Sequence, residues 1–453
     1  MRLSGNSRRI AALAWPILIG QLAVIANSVL DTAMTSRYSA TDLAALALGT
    51  SIYISIFVGL NGVLQALSPI IAHLFGAQRL EEVGVEVKQG MWLALFLSCI
   101  GCLILAFPQP LLSLAHASPQ LTDKATHILR IFALVLPATL GMRIYSALNH
   151  ALARPKMIMA LQLCGLLLKI PLNTLFIFGG LGLPAFGGVG CAIASALIAW
   201  LMLAIALAIL HSVPFYRSFG LFGTGLIAPR WRSLQPLLKL GIPTGLSYLI
   251  EVTSYAFMAL FIARLGETAV AGHQIVANFG TVLYMLPLSI ASATSTLVAQ
   301  ALGAHRQDAA RQIGYAGIRM AGVISCTLGI AIWLARDLVV RAYTPDAAIA
   351  AAALPLFLFI AVYQLFDAVQ VTTGFVLRAH KIAVIPTLIY AIALWGVGLG
   401  GGYLLGLDPF GWKLRLPHGT AGFWLANSAS LALVACGLLW HLRRIHNITA
   451  KIV

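Results

Sequence analysis

Residues 240–263 read LGIPTGLSYLIEVTSYAFMALFIA, an apolar run with one carboxylate, Glu251, at its middle. A bilayer span needs roughly 20 apolar residues, and this run exceeds that length. Soluble domains carry about a quarter charged residues; this chain of 453 residues carries 9%, with 60% hydrophobic. A charge held at mid-bilayer costs about 3 kcal/mol on insertion scales, so an acid kept there marks an ion or proton pathway by default.

Outward from this stretch, runs of the same kind give spans at 10–35, 44–75, 91–112, 125–150, 157–180, 188–211, 234–263, 269–301, 312–335, 349–377, 383–406 and 420–441. The sequence therefore predicts an all-α membrane protein of about twelve transmembrane helices, with no room left for a soluble catalytic domain. The net charge of +16 is scattered over short loops instead of one continuous face. That pattern sets topology and gives no surface for nucleic acid. An even number of spans puts both termini on one side, and the Lys and Arg bias puts that side in the cytoplasm. Arg2, Arg8 and Arg9 precede a first run that is too long for a signal peptide and that contains Asp31. The six cysteines lie inside apolar runs and suggest no disulfide framework.

The chain repeats itself at an offset of about 227: Pro16 in ALAWPILIGQ faces Pro243 in KLGIPTGLSY, and Gly76 in IIAHLFGAQR faces Gly303 in LVAQALGAHR. With small gaps, LARPKMIMAL matches LRAHKIAVIP and GGVGCA matches GTAGFW. A six-helix repeat keeps both halves in the same orientation, related by a pseudo-two-fold axis along the membrane normal. The division is residues 1–211, a connecting cytoplasmic loop at 212–235 rich in Gly, Pro and Arg, and residues 236–453. Such two-lobed architectures place a cavity between the lobes.

Of the 13 acidic residues, Asp31, Glu251 and Asp367 are the ones that fall inside apolar helices. Helical spacing gives each a polar face. Tyr363, Asp367, Gln370 and Gly374 follow i, i+4, i+7 and i+11 in the tenth span, and Tyr248, Glu251, Ser254 and Tyr255 share a face of the seventh. Gln274 and Asn278, four apart in the eighth span, suggest a third wall of one pocket that holds both carboxylates. Two acids in one pocket titrate as a coupled pair; their hard oxygens suit a proton or a sodium ion. In the first half, Asn27, Asp31 and Thr35 share a face, and Lys169 and Asn173 lie four apart in the fifth span. Lys169 either pairs with Asp31 or snorkels to a membrane edge. Tyr248 and Tyr284 near the acids suit a flat cation through their ring faces. No HExxH, GxSxG or paired-aspartate metal motif is present, so the chain does not read as an enzyme.

These residues resemble the multidrug and toxic compound extrusion (MATE) family in its NorM-type bacterial branch. The resemblance rests on ALAWPILIGQ, VLDTAMTSRYSATDLAALALG, LARPKMIMAL, KIPLNTLFIFG, GLPAFGGVGC, GIPTGLSYLIE, YMLPLSIASATSTLVAQALGAHR and YQLFDAVQ, over nearly the whole chain. It implies two six-helix lobes, alternating access, and export of organic cations in exchange for Na+ or H+, without a cofactor. It also implies that Asp31, Glu251 and Asp367 are the functional acids, with Glu251 and Asp367 able to hold Na+. Tyr363 matches a tyrosine near the second-lobe cation, and Asn173 matches the asparagine of the PLN element. Lys169 stands where the family often has asparagine, so the first-lobe site departs from the pattern that would hold sodium. The resulting expectation is a monomeric inner-membrane antiporter with Asn173, Lys169, Asn278, Gln274, Tyr248, Tyr284 and Asn27 supporting the acids. The competing reading is a flippase for lipid-linked saccharides from the same wider superfamily; it would want cavity-facing Arg or Lys, and the buried acids dominate here.

Overall fold

The computed structural model describes residues 5–113, 118–180, 182–222, 227–411 and 417–452, with side chains up to residue 447. Arg2 of the N-terminal basic cluster and residues 223–226 of the connector lie outside the described residues. Among the described residues, twelve helices are long and apolar enough to cross a membrane. They are α1 (Gly5–Tyr38), α2 (Ala40–Gly76), α3 (Leu80–Ala106), α4 (Pro119–Ala151), α5 (Pro155–Phe178) and α6 (Gly187–Ser212), then α7 (Trp231–Ala263), α8 (Glu267–Gly303), α9 (Gln307–Leu334), α10 (Ala347–Ala379), α11 (Val384–Leu407) and α12 (Thr420–Asn447). Lipid offers no partner for backbone N–H and C=O groups, so helices that satisfy their own backbone are the form such runs must take.

The internal repeat is visible in the turns. Gln78, Ala153, His305 and Lys381 all have positive φ, between 56° and 61°. Each sits just past a helix end: after α2, α4, α8 and α10. Around each, two N–H groups reach back to the closing turn. Gln78 bonds Phe75 O while Arg79 bonds Leu74 O; in the second half His305 bonds Leu302 O while Arg306 bonds Ala301 O. Ala153 with Arg154, and Lys381 with Ile382, make the same paired bonds to His150 and Asn149 and to Arg378 and Leu377. This is a left-handed helix cap that satisfies the last carbonyls, placed on non-glycine residues.

The described residues form two compact units, Ile19–Gly245 and Met1–Leu18 with Leu246–Val453. The borders fall inside α1 and α7, just beyond Pro16 and Pro243, where the sequence division was drawn at 211 and 236. A proline inside a helix removes one hydrogen bond and bends the axis, so the two sides of the bend can join different units. The core of the first of these units includes Leu46, Ile128, Phe132 and Ile177; that of the second includes Met258, Phe357, Phe423 and Trp424.

The connector is stapled to the Ile19–Gly245 unit. Gln89 brackets its backbone, donating to Ala228 O at 3.0 Å and accepting from Arg230 N at 2.7 Å, and Trp92 Nε1 donates to Ile227 O at 2.9 Å. Tyr216 is buried and donates to Asn149 Oδ1 at 2.6 Å, while the Arg154 guanidinium lies 3.4 Å from the Phe215 ring centre. The glycine-rich end of α11 is a packing surface: a side chain on Gly398 would meet Ser430, and one on Gly402 or Gly406 would meet the Phe423 ring.

Candidate ion-coupling sites

In the second half, Gln370 joins what the sequence separates by more than a hundred residues. Its Nε2 donates to Asp367 Oδ1 at 3.0 Å and reaches Glu251 Oε1 at 3.5 Å, and its Oε1 accepts from the Tyr390 hydroxyl. Asp367 and Gln370 are buried and Glu251 is partly so. The site is thus built from α7, α10 and α11. Helix α10 presents it because Asp367 and Gln370 are one turn apart on the buried face.

Arg378 continues that face one turn past Gly374. Its Nη1 donates to Tyr248 Oη at 2.9 Å, and its guanidinium lies 4.9 Å from the Tyr248 ring centre and 4.6 Å from that of Phe375. Glu251 feels the Arg378 charge, and Asp367 feels that of Glu251. Tyr284 on α8 sits within the electrostatic reach of Glu251, Tyr248, Asp367 and Tyr390. Tyr363 borders Asp367 and meets Trp424 edge-on, with ring centres 5.8 Å apart.

Gln274 and Asn278, expected as a third wall of the pocket, make no hydrogen bond to either acid among the described residues. Gln274 Nε2 donates to Asn278 Oδ1 at 3.1 Å, and both residues are exposed. One amide donates to the other along the same helix, an ordinary i, i+4 polar pair. Among the buried side chains of α8, His273 packs at a tilt against the Tyr255 and Trp424 rings, and Tyr284 is half-buried. Two participants escaped the sequence reading. Tyr390 is a single polar group in an apolar run, and Arg378 lay one residue beyond the span drawn at 349–377. The signal for Arg378 was the extension of the Tyr363, Asp367, Gln370, Gly374 spacing by four.

In the first half, Asp31 on α1 meets two residues of α5. Asp31 Oδ1 accepts from Asn173 Nδ2 at 2.8 Å and lies 3.1 Å from Lys169 Nζ. Lys169 also donates to Ser195 Oγ on α6 at 2.6 Å, and its side chain is 5% exposed. The amine is therefore paired and does not snorkel. Asn27, a turn before Asp31, makes no hydrogen bond to it; its Oδ1, with Asn173 Oδ1, is buried without a hydrogen-bond partner among the described residues.

Asp42, read from sequence as a loop residue, is buried at the start of α2. It accepts from Lys124 Nζ at 2.7 Å and from the Gly188 N–H, in the first turn of α6, at 3.1 Å. A carboxylate there is held by a full cation and by a helix N-terminus, a structural clamp with no spare charge.

One family model, MatE, matches the chain twice, over residues 16–175 and 243–404. The chain belongs to the MatE family. The double match begins at Pro16 and again at Pro243, the pair that the sequence repeat aligns. A probable multidrug resistance protein NorM of Aromatoleum aromaticum is 41% identical over 95% of this chain and 92% of its own length. The multidrug resistance protein MdtK of Pectobacterium atrosepticum is 36% identical over 97% of this chain and 95% of its own. Among solved structures, a MATE in the straight conformation superposes with a TM-score of 0.88 at 19% identity, covering 99% of this chain and 98% of that one. An outward-facing multidrug resistance MATE transporter of the MOP superfamily gives 0.87 at 18%, covering 99% and 100%. With its twelve membrane-length apolar helices, this MatE chain is a multi-pass membrane protein.

Proposed function

We propose that this MatE transporter is a secondary antiporter that exports organic cations in exchange for Na+ or H+ by alternating access. The observation that carries the reading is the charge balance at Gln370. Two carboxylates, Glu251 and Asp367, share the site with one guanidinium, Arg378, so the cluster is one positive charge short of neutral. An uncompensated charge inside a membrane protein is expensive, and a proton or a sodium ion removes it. The same deficit attracts an organic cation. Binding one at the expense of the other is antiport. Tyr284 and Tyr363 add ring faces beside the acids, which favours flat cations.

The reading includes an inner-membrane monomer with both termini in the cytoplasm, supported by the Lys and Arg bias of the loops. It favours a multidrug exporter over a saccharide-lipid flippase because the unmatched charge in the site is negative. Vesicles that contain the purified chain test it: an organic cation is loaded, and Na+ and pH gradients are imposed one at a time. Export driven by at least one of the two gradients is expected. Export that ignores both gradients would refute antiport.

A further inference from the structure

We infer that Lys169 is a tethered cation that stands in for a mobile ion at Asp31, and that an incoming organic cation takes the amine's place there while the amine gives up its proton. This deepens the exporter reading and rests on it. In contrast with the Gln370 cluster, the first-half site is already neutral. Lys169 Nζ lies 3.1 Å from Asp31 Oδ1, is anchored by Ser195 at 2.6 Å, and its side chain is 5% exposed. Asn173, fully buried, fixes the carboxylate from the same helix as the lysine.

A second cation cannot simply be added to that pair. It would leave either itself or the ammonium without a counter-charge, and removing the partner of a buried charge costs about 3–5 kcal/mol. A lysine has a way out that an arginine lacks, because its amine can lose a proton when buried. The exchange balances: the ammonium N–H bond breaks, its proton leaves to water, and the organic cation pairs with the Asp31 carboxylate. Charge before and after is the same, and no electron is transferred. Acceptors for the arriving cation are present. Asn27 and Asn173 each hold a buried side-chain oxygen without a hydrogen-bond partner among the described residues, and Asn173 is 0% exposed. The titratable groups here are Asp31 on α1, Lys169 on α5 and Cys191 on α6, whose thiol senses both charges. Sodium carries the same single charge but must give up a tightly held water shell to enter a buried pair, so it competes poorly while the ammonium stays.

The test uses the full chain in detergent with Glu251→Gln and Asp367→Asn, which silence the other proton-exchanging acids. Tetraphenylphosphonium, a permanent cation, is titrated in weak buffer while released protons are counted. With Lys169 in place, about one proton per bound cation is expected, with no competition from Na+. Lys169→Arg keeps the cation but cannot shed a proton, so binding should fall about tenfold or more with no proton released. Lys169→Asn should restore binding and make it sensitive to Na+. Binding by Lys169→Arg at the wild-type strength, or Na+ competition equal with and without the lysine, would overturn the inference and leave the exporter reading standing. If the combined variants do not fold, the Lys169 forms are compared in the otherwise native chain by difference: the Gln370 cluster contributes equally to all of them, so Lys169→Arg should release about one proton fewer than the native chain at saturating cation, and an equal release would overturn the inference. A native chain that binds no tetraphenylphosphonium would sink both readings.

Discussion

A single amide, Gln370, holds two acids from different helices, and its loss is the sharpest test at the residue scale. Gln370→Leu keeps the volume but removes the donor to Asp367 and Glu251 and strands the Tyr390 hydroxyl. An unmade bond to a buried group costs about 1–3 kcal/mol, so coupled efflux should fall roughly tenfold or more, with the protein still inserted. Tyr390→Phe removes one bond to a neutral group and should cost only about 1 kcal/mol. A Tyr390→Phe defect as deep as that of Gln370→Leu would show that the tyrosine, and not the amide, organises the site. Arg378→Gln makes a second prediction. Without the guanidinium the two carboxylates need two mobile charges, so the dependence of efflux on the coupling ion should steepen from about first to about second order. The acids themselves were legible in the sequence, because a carboxylate in an apolar run stands out by its cost. Arg378 and Tyr390 were not. A long basic side chain at a helix end reads the same whether it runs back into the protein or out to water.

Elements carry the fold through their ends and crossings. Spans were legible from hydropathy, since about twenty apolar residues have one stable form in lipid. Their ends were less so, and the tenth shows the price of a small error: drawn at 349–377 against the observed Ala347–Ala379, it left Arg378 outside the site. The grouping of helices was least legible. Gln274 and Asn278 share a face of α8 and pair with each other, and helical periodicity is silent on which neighbour that face meets. The left-handed caps give a stability prediction. Ala153 at φ 56° carries the strain of a Cβ in that region, about 1–2 kcal/mol, partly offset by the chain entropy glycine loses. Ala153→Gly should therefore raise the thermal midpoint in detergent by a stabilisation of roughly 0.5–1 kcal/mol. The opposite sign is expected at Gly190, where an added side chain would meet the Phe176 backbone. Backbone cannot swing aside, so Gly190→Ala should destabilise by about 1–3 kcal/mol.

At the scale of the whole molecule, the two halves share a plan and differ in charge. The repeat was legible from Pro16 and Pro243, and it recurs in the double family match and in the paired caps. The acid sites do not repeat: the Asp31 carboxylate is matched by one lysine, whereas the Glu251 and Asp367 carboxylates share one arginine. The central claim is that this deficit in the second half is where the driving ion binds. The most direct test compares the native chain with Glu251→Gln and Asp367→Asn in vesicles, measuring organic-cation efflux under an imposed Na+ or pH gradient at matched protein insertion. Each variant keeps the side-chain shape and removes the charge, so gradient-driven efflux is expected to be lost in both. Efflux at the native rate from either variant would contradict the account.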